Sequence, residues 1–198
     1  AKGAKIIVFP ELCLTGYTCG DLFLQQLLLD KAEEQLIQVA AATGDKDALV
    51  MVGLPMVREG KLYNVAAVLQ NGEILGFVPK ANIPFYAEFY EGRHFSEGNE
   101  EPVEFEFHGT TVPFGTNILF ECESVKGLTV GCEICEDLWV ANPPGTNHAL
   151  MGATVIANLS ASNETVGKDE YRELLVKSSS ARLICGYIYS SSGEGEST

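Results

Sequence analysis

Residues 131–139 read Gly-Cys-Glu-Ile-Cys-Glu-Asp-Leu-Trp, so Cys135 is followed at once by two carboxylates, Glu136 and Asp137. The alternating apolar run before it, with Leu128 and Val130, predicts a strand, and Asn142-Pro143-Pro144 breaks the chain into a loop. Acid beside a structural cysteine gains nothing for packing. A rigid strand end that presents a thiol to a pocket is how a nucleophile is commonly held. Cys135 therefore reads as a nucleophile, and the rest of the chain must supply its base and the clamp for its electrophile. Glu11 and Lys80 also stand behind apolar runs, each after a proline or close to one. In a parallel-rich sheet the carboxyl ends of strands converge on one crevice. Any one of the three alone reads as a solvated strand terminus. Three different chemistries at three strand ends favour a shared site.

The elements that position them follow from periodicity. Residues 5–9 form a continuous apolar run, a strand buried on both faces, which ends at Pro10 just before Glu11. Residues 13–20, with two glycines, read as a loop. Asp21 is the predicted N-cap of a helix whose apolar residues Leu24, Leu27, Leu28, Leu36 and Val39 recur with helical spacing up to Gly44. A second buried strand over 48–54 is ended by Pro55. Residues 63–70 and 73–78 are strands joined by Asn71-Gly72, the strongest short hairpin signal, and the second runs into Pro79-Lys80. Residues 81–101 carry no periodicity but many aromatics and acids. A loop of that length in a compact domain is commonly a binding loop or lid. Strands are predicted at 103–107, 117–122, 128–135, 153–159 and 183–190, with helices at 146–151 and 168–182. The last strand–helix–strand reads as a parallel crossover unit. The mixture predicts layered α/β architecture rather than a purely doubly wound sheet.

At 198 residues and 46% hydrophobic content the chain suits one domain with a sizeable core. Twenty-seven acidic against 13 basic residues give a formal charge of −14, which argues against nucleic acid or an anionic membrane as partner. No apolar run is long enough to span a bilayer, and the opening residues lack a signal-peptide pattern. Six cysteines in a chain this long and apolar read as reduced thiols, and a cytoplasmic location is expected.

Other chemistries were weighed. Cys132 and Cys135 form a C-x-x-C, but on a strand positions three apart face opposite sides and cannot share a metal or a disulfide. A loop or helix start at that point would revive a redox reading. His94, His108 and His148 are scattered, so no metal site is predicted. No G-x-S-x-G elbow occurs, and the Gly193-Glu194-Gly195 tail lacks the lysine and strand-to-helix context of a phosphate loop. The aromatics from Phe85 to Tyr90, mixed with Glu88 and Glu91, read equally as a hydrophobic plug or a pocket wall.

With these residues in place, the chain resembles the nitrilase superfamily. The catalytic Glu, Lys and Cys of that family fall in this order, in blocks similar to Phe9-Pro10-Glu11-Leu12, Val78-Pro79-Lys80 and Ile134-Cys135-Glu136-Asp137. It is more similar still to one branch, the glutaminase (amidase) domains of glutamine-dependent NAD synthetases. The stretches that carry this likeness begin at Pro10, Phe85, Cys135, Ala157 and Gly193, and the resemblance as a whole extends from Lys5 to Thr198. The resemblance implies an α-β-β-α sandwich and hydrolysis of the side-chain amide of L-glutamine. It implies Glu11 as general base, Lys80 as stabiliser, Cys135 as nucleophile and Glu91 as the second carboxylate that orients Lys80. Tyr17, Phe89, Glu136 and Ser162 would line the glutamine pocket. It further implies that residues 1–198 are a glutamine amidase domain truncated at both ends, lacking the first strand and helix of the fold and a following synthetase domain. Ammonia would reach that C-terminal domain through a tunnel and amidate nicotinic acid adenine dinucleotide with ATP and Mg²⁺. No cofactor is expected in the amidase domain itself, a homo-oligomer is expected, and the glutaminase activity of the isolated piece is expected to be weak or absent. Three alternatives stay open at this point: a stand-alone amidase or carbamoylase of the same superfamily, a scaffold with a relic triad, and a thiol-redox module built on Cys132 and Cys135.

Overall fold

A computed structural model of the chain describes residues 3–193. The glycine-rich tail from Glu194 to Thr198, part of the resemblance above, lies outside the described residues. In chain order the elements are β1 (Ile6–Val8), a 3₁₀ segment (Tyr17–Leu24), α1 (Gln26–Ala42), β2 (Leu49–Arg58), β3 (Lys61–Gln70), β4 (Glu73–Pro79), β5 (Phe85–Tyr86) and β6 (Phe89–Tyr90). A short 3₁₀ turn (Glu91–Arg93) precedes β7 (Val103–Phe107), β8 (Thr110–Phe114), β9 (Leu119–Glu121) and β10 (Thr129–Ile134). The 3₁₀ turn Cys135–Leu138 then leads to α2 (Pro144–Leu150), β11 (Val155–Ser160), α3 (Lys168–Leu183) and β12 (Gly186–Ser191).

Two sheets dominate. One has the order β1-β2-β3-β4-β8-β7 and mixes parallel pairs (β1 with β2, β4 with β8) with hairpins. The other has the order β12-β11-β10-β9, with β10, β11 and β12 parallel. The near-continuous apolar sequences of β2 and β3 are explained by burial on both faces. Val50, Val52, Leu54 and Met56 of β2 and Val65, Ala67 and Leu69 of β3 pack with Leu36 and Ala40 of α1. The alternate residues Met51, Ala66 and Val68 face Val130, Cys132, Ile134, Ala157 and Leu159 of the second sheet. Behind that sheet, Ile156 and Cys185 pack with Ala149 of α2 and Leu183 of α3. The layers are thus helix, sheet, sheet, helix, as an α-β-β-α sandwich requires.

Several expectations change. The helix does not begin at Asp21: Arg93 and His94 take its carboxylate, at 2.8 and 2.9 Å from Oδ1, and α1 starts only at Gln26. Leu24 and Leu27 are consequently exposed, and the buried stripe runs through Leu29, Ala32, Leu36 and Ala40. Pro55 does not end β2. The strand β1 pairs with β2 only at Leu49, Val50 and Met51, so Pro55 lies where that flank of β2 has no partner strand, and a residue without an N–H is tolerated there. The strand β8 was not predicted. The stretch 81–101 is partly ordered as the β5–β6 ribbon and the 3₁₀ turn after it.

Candidate active site

Four polar side chains from separate elements meet in the interior. Glu11 lies in the turn after β1, Asn64 on β3, Lys80 directly after β4, and Glu91 at the start of the 3₁₀ turn after β6. Lys80 Nζ donates to Glu11 Oε1 and to Glu91 Oε1, both at 2.6 Å. Asn64 Nδ2 donates to Glu11 Oε1 at 2.7 Å and to Glu91 Oε2 at 3.3 Å. The Ala161 N–H donates to Glu11 Oε2 at 3.0 Å, and Tyr17 Oη to Glu91 Oε1 at 2.8 Å. Lys80 is 0% exposed and Glu11 1%, so both charges depend on these partners.

Local backbone explains the placement. The turn carrying Glu11 passes against β2 at Gly53, where a Cβ would lie 2.3 Å from the Leu12 nitrogen and 2.9 Å from the Glu11 carbonyl carbon. Only glycine permits that approach. Gly53→Ala is expected to displace Glu11, lowering activity about 100-fold and stability by about 1–3 kcal/mol; assay and thermal melting of that variant check this, and near-normal activity would contradict it. Lys80 is fixed at both ends, its N–H donating to Asn64 O and its carbonyl accepting from Gly98, at 2.8 and 2.9 Å.

Cys135 begins the 3₁₀ turn after β10 rather than ending the strand, with φ of 47°. Left-handed backbone at a non-glycine residue costs about 1–2 kcal/mol and concentrates at functional turns. Asp137 holds this turn: its carboxylate accepts from the Ile134 N–H at 3.0 Å and from the Asn82 N–H and Nδ2 at 2.8 Å each. Acid next to the cysteine therefore does have a structural use, contrary to the sequence argument. The other acid, Glu136, accepts from Tyr86 Oη at 2.9 Å.

The opposite-face argument about the C-x-x-C changes as well, because Cys135 lies beyond the strand. Cys132, however, is 0% exposed, and burial with Glu133 nearby pushes its thiol well above the usual range, which leaves it inert. All six cysteines are free thiols. Among the described residues no three His, Cys, Asp or Glu side chains form a group that could hold a metal ion.

Electrostatics sort the site. Burial, only partly offset by Lys80, pushes the Glu11 carboxyl up to about 7. Burial alone would lower Lys80, but the charges of Glu11 and Glu91 outweigh it and hold the ammonium well above its ordinary value. Burial and Glu11 push the Cys135 thiol up, with Lys80 pulling the other way. The resting thiol is therefore protonated, and a carboxylate that titrates near neutrality is the kind of group that can accept its proton during attack.

Cys135 opens onto a cleft of about 500 Å³ lined also by Tyr86, Phe89, Glu136, Trp139, Ser162 and Lys168. Three residues predicted for the pocket, Phe89, Glu136 and Ser162, are thus brought together there. Lys168 Nζ lies 5.2 Å from the Trp139 ring centre and 5.6 Å from that of Phe89. The fourth, Tyr17, lines an adjoining cleft of about 490 Å³ that shares Ser162 and Glu88 with the first. Asn64, Asn158, the Ala161 N–H and Lys168 were missed. Asn64 and Asn158 carried a readable signal, since asparagine is depleted in the apolar strands where both sit.

Residues 1–191 match the model of the carbon-nitrogen hydrolase family. Glutamine-dependent NAD(+) synthetase of Mycobacterium bovis is 44% identical over 196 residues, covering 99% of this chain and 29% of that protein. The protein of the same name from Aquifex aeolicus is 36% identical over 189 residues, 96% and 30% of the two chains. The crystal structure of a glutamine-dependent NAD(+) synthetase from Cytophaga hutchinsonii superposes with a TM-score of 0.83 at 35% identity, over 94% of this chain and 30% of that one. An amidase of the nitrilase superfamily from Nesterenkonia shares the fold, with a TM-score of 0.70 at 18% identity over 96% and 63%. The chain therefore spans under a third of the length of these synthetases.

Proposed function

We propose that this chain, which belongs to the carbon-nitrogen hydrolase family, is the glutaminase part of a glutamine-dependent NAD synthetase and hydrolyses the side-chain amide of L-glutamine through a thioester on Cys135. The observation that carries this reading is the buried Glu11–Lys80–Glu91 cluster beside a cysteine that opens onto a cleft. The relatives' names favour glutamine as the amide donor. The cleft suits it: Glu136 and Lys168 line it with opposite charges, as the ammonium and carboxylate of an α-amino acid require.

In the proposed sequence Glu11 takes the Cys135 proton as the sulfur attacks the amide carbon. Lys80 Nζ and the Glu136 N–H hold the resulting oxyanion. Glu11 then returns the proton to the departing nitrogen, releasing ammonia and leaving the thioester. A water molecule deprotonated by Glu11 cleaves the thioester to glutamate, and the proton returns to the thiol. Glu91 orients Lys80. These steps need no cofactor in this domain. Ammonia would pass to a C-terminal synthetase domain that amidates nicotinic acid adenine dinucleotide, using ATP and Mg²⁺. No described helix is long and apolar enough to cross a membrane. A cytoplasmic location and self-association into a homo-oligomer belong to the same proposal.

Labelling with a diazoketone analogue of glutamine, followed by peptide mapping, tests the reading. A single adduct on Cys135, blocked by excess L-glutamine, supports it; no adduct there, or equal labelling of Cys132, contradicts it. The pH profile gives a second check. The base must be ionised, and its carboxyl sits at about 7 rather than 4.5, so kcat/KM should rise with pH through about 7. An acid limb centred near 4.5 would remove Glu11 from that role.

A further inference from the structure

Behind Cys135, outside both clefts, lies a further buried carboxylate that the proposed chemistry does not use. Glu133 on β10 is 1% exposed. Its Oε2 accepts from the Gly145 N–H of α2 at 2.7 Å, and its Oε1 accepts from Tyr187 Oη of β12 and from Asn158 Nδ2 of β11, the latter at 3.3 Å. Asn158 Oδ1 in turn accepts from the Cys135 N–H at 3.3 Å and from Ser160 Oγ at 2.7 Å. Asn158 and Ser160 are 0% exposed.

We propose that Asn158, oriented by Glu133 and Tyr187, is a positioning residue that, together with Asp137, holds the Cys135 turn for attack. An amide can present either end to a neighbour, and here the carboxyl decides which, because both Glu133 oxygens are acceptors, towards the Gly145 N–H, Tyr187 Oη and Asn158 Nδ2. Glu133 therefore draws Nδ2, and Oδ1 is left facing the Cys135 N–H. That N–H belongs to a residue in the left-handed region, where the backbone would relax if released. The relay reaches the nucleophile through its main chain, and the Asn158, Glu133 and Tyr187 side chains line neither cleft and hydrogen-bond to neither Glu11 nor Lys80, so they act on the attack geometry rather than on substrate affinity. The Gly145 end ties the same carboxylate to the first turn of α2, which fixes its depth.

This inference rests on Cys135 being the nucleophile, and the test separates the two. In the full chain, Asn158→Leu and Tyr187→Phe are compared with the parent for kcat and KM with L-glutamine. The alkylation rate of Cys135 by 2-chloroacetamide is measured alongside by peptide mass spectrometry, with the half-exposed Cys122 as internal control. Asn158→Leu should lower kcat about 100-fold and slow Cys135 alkylation with it, leaving KM and Cys122 unchanged. Tyr187→Phe keeps Asn158 and should lower kcat about tenfold; it decides the question should the leucine variant not fold. A kcat within about threefold of the parent in Tyr187→Phe, or a rise in KM with kcat unchanged, would overturn the positioning role. If Cys135 of the parent reacts no faster than Cys132, the nucleophile itself is wrong, and the inference falls with it.

Discussion

Cys135→Ala should lower glutamate release from L-glutamine by about 10⁴-fold or more, because among the described residues no other thiol lines the cleft. Alanine has the same Cβ and can occupy the same left-handed backbone at no extra strain, and it adds no polar group to the interior. Stability should therefore stay within about 1 kcal/mol of the parent. The comparison is informative because the two readouts separate: a variant that unfolds would lose both. Substrate binding should survive, since Phe89, Glu136, Ser162 and Lys168 remain in the cleft. Isothermal titration of the alanine variant with glutamine measures that directly. Residual turnover above about 10% of the parent would send the chemistry to another group.

Lys80→Met should be nearly as damaging, by a different route, and should also destabilise the fold by about 3–5 kcal/mol. Methionine fills the space but leaves Glu11 and Glu91 facing each other across Asn64, with no cation among the described residues in hydrogen-bond contact with either. Lys80 is the main influence holding the Glu11 carboxyl down, so its loss moves that carboxyl above about 7 and leaves the base protonated at neutral pH. Activity should fall about 10³-fold, through loss of both the base and the oxyanion clamp. The sign of the stability change with pH follows. A carboxyl raised above its unfolded value of 4.5 contributes stability that is fully present below that pH and is lost as pH rises through the folded value. The deficit of the methionine variant should accordingly be smaller at pH 5 than at pH 8. Thermal or urea unfolding at the two pH values measures it, and equal deficits would mean that the carboxylates are not coupled to Lys80 as the geometry requires.

The buried polar cluster was more legible in the sequence than the elements around it, and the hairpins show why. Three two-residue links have the same left-handed pair of residues: Glu59-Gly60, Asn71-Gly72 and His108-Gly109. Only Asn71-Gly72 was read as a turn, because asparagine marks that conformation by its chemistry, whereas glutamate and histidine merely tolerate it. Hence β2 was cut short at Pro55 and β8 was missed. Glu11, Lys80 and Cys135 were readable only together, because three different chemistries at three strand ends favour a shared site where one alone reads as a solvated terminus. Asn64 and Asn158 were not singled out, since an amide within a strand has many ordinary explanations. What no local pattern encodes is which strand ends meet: the hydrogen bond between the Ala161 N–H and Glu11 spans 150 residues. Asp21 failed as a cap for a related reason, since its partners Arg93 and His94 lie more than 70 residues away.

The proposed nucleophile and its proposed base ride on different sheets. Glu11 and Lys80 follow strands of the six-stranded sheet, and Cys135 follows a strand of the four-stranded one. The spacing between thiol and carboxylate is therefore set by how far apart the two layers stand, and Met51, Ala66, Val68, Val130 and Leu159 are the shims. In machining terms, the working clearance of the site is a tolerance held by the parts packed between the layers, in the same cluster that seats Cys135. A larger side chain at Ala66 would widen that clearance, and would slow turnover in a protein that still looks intact.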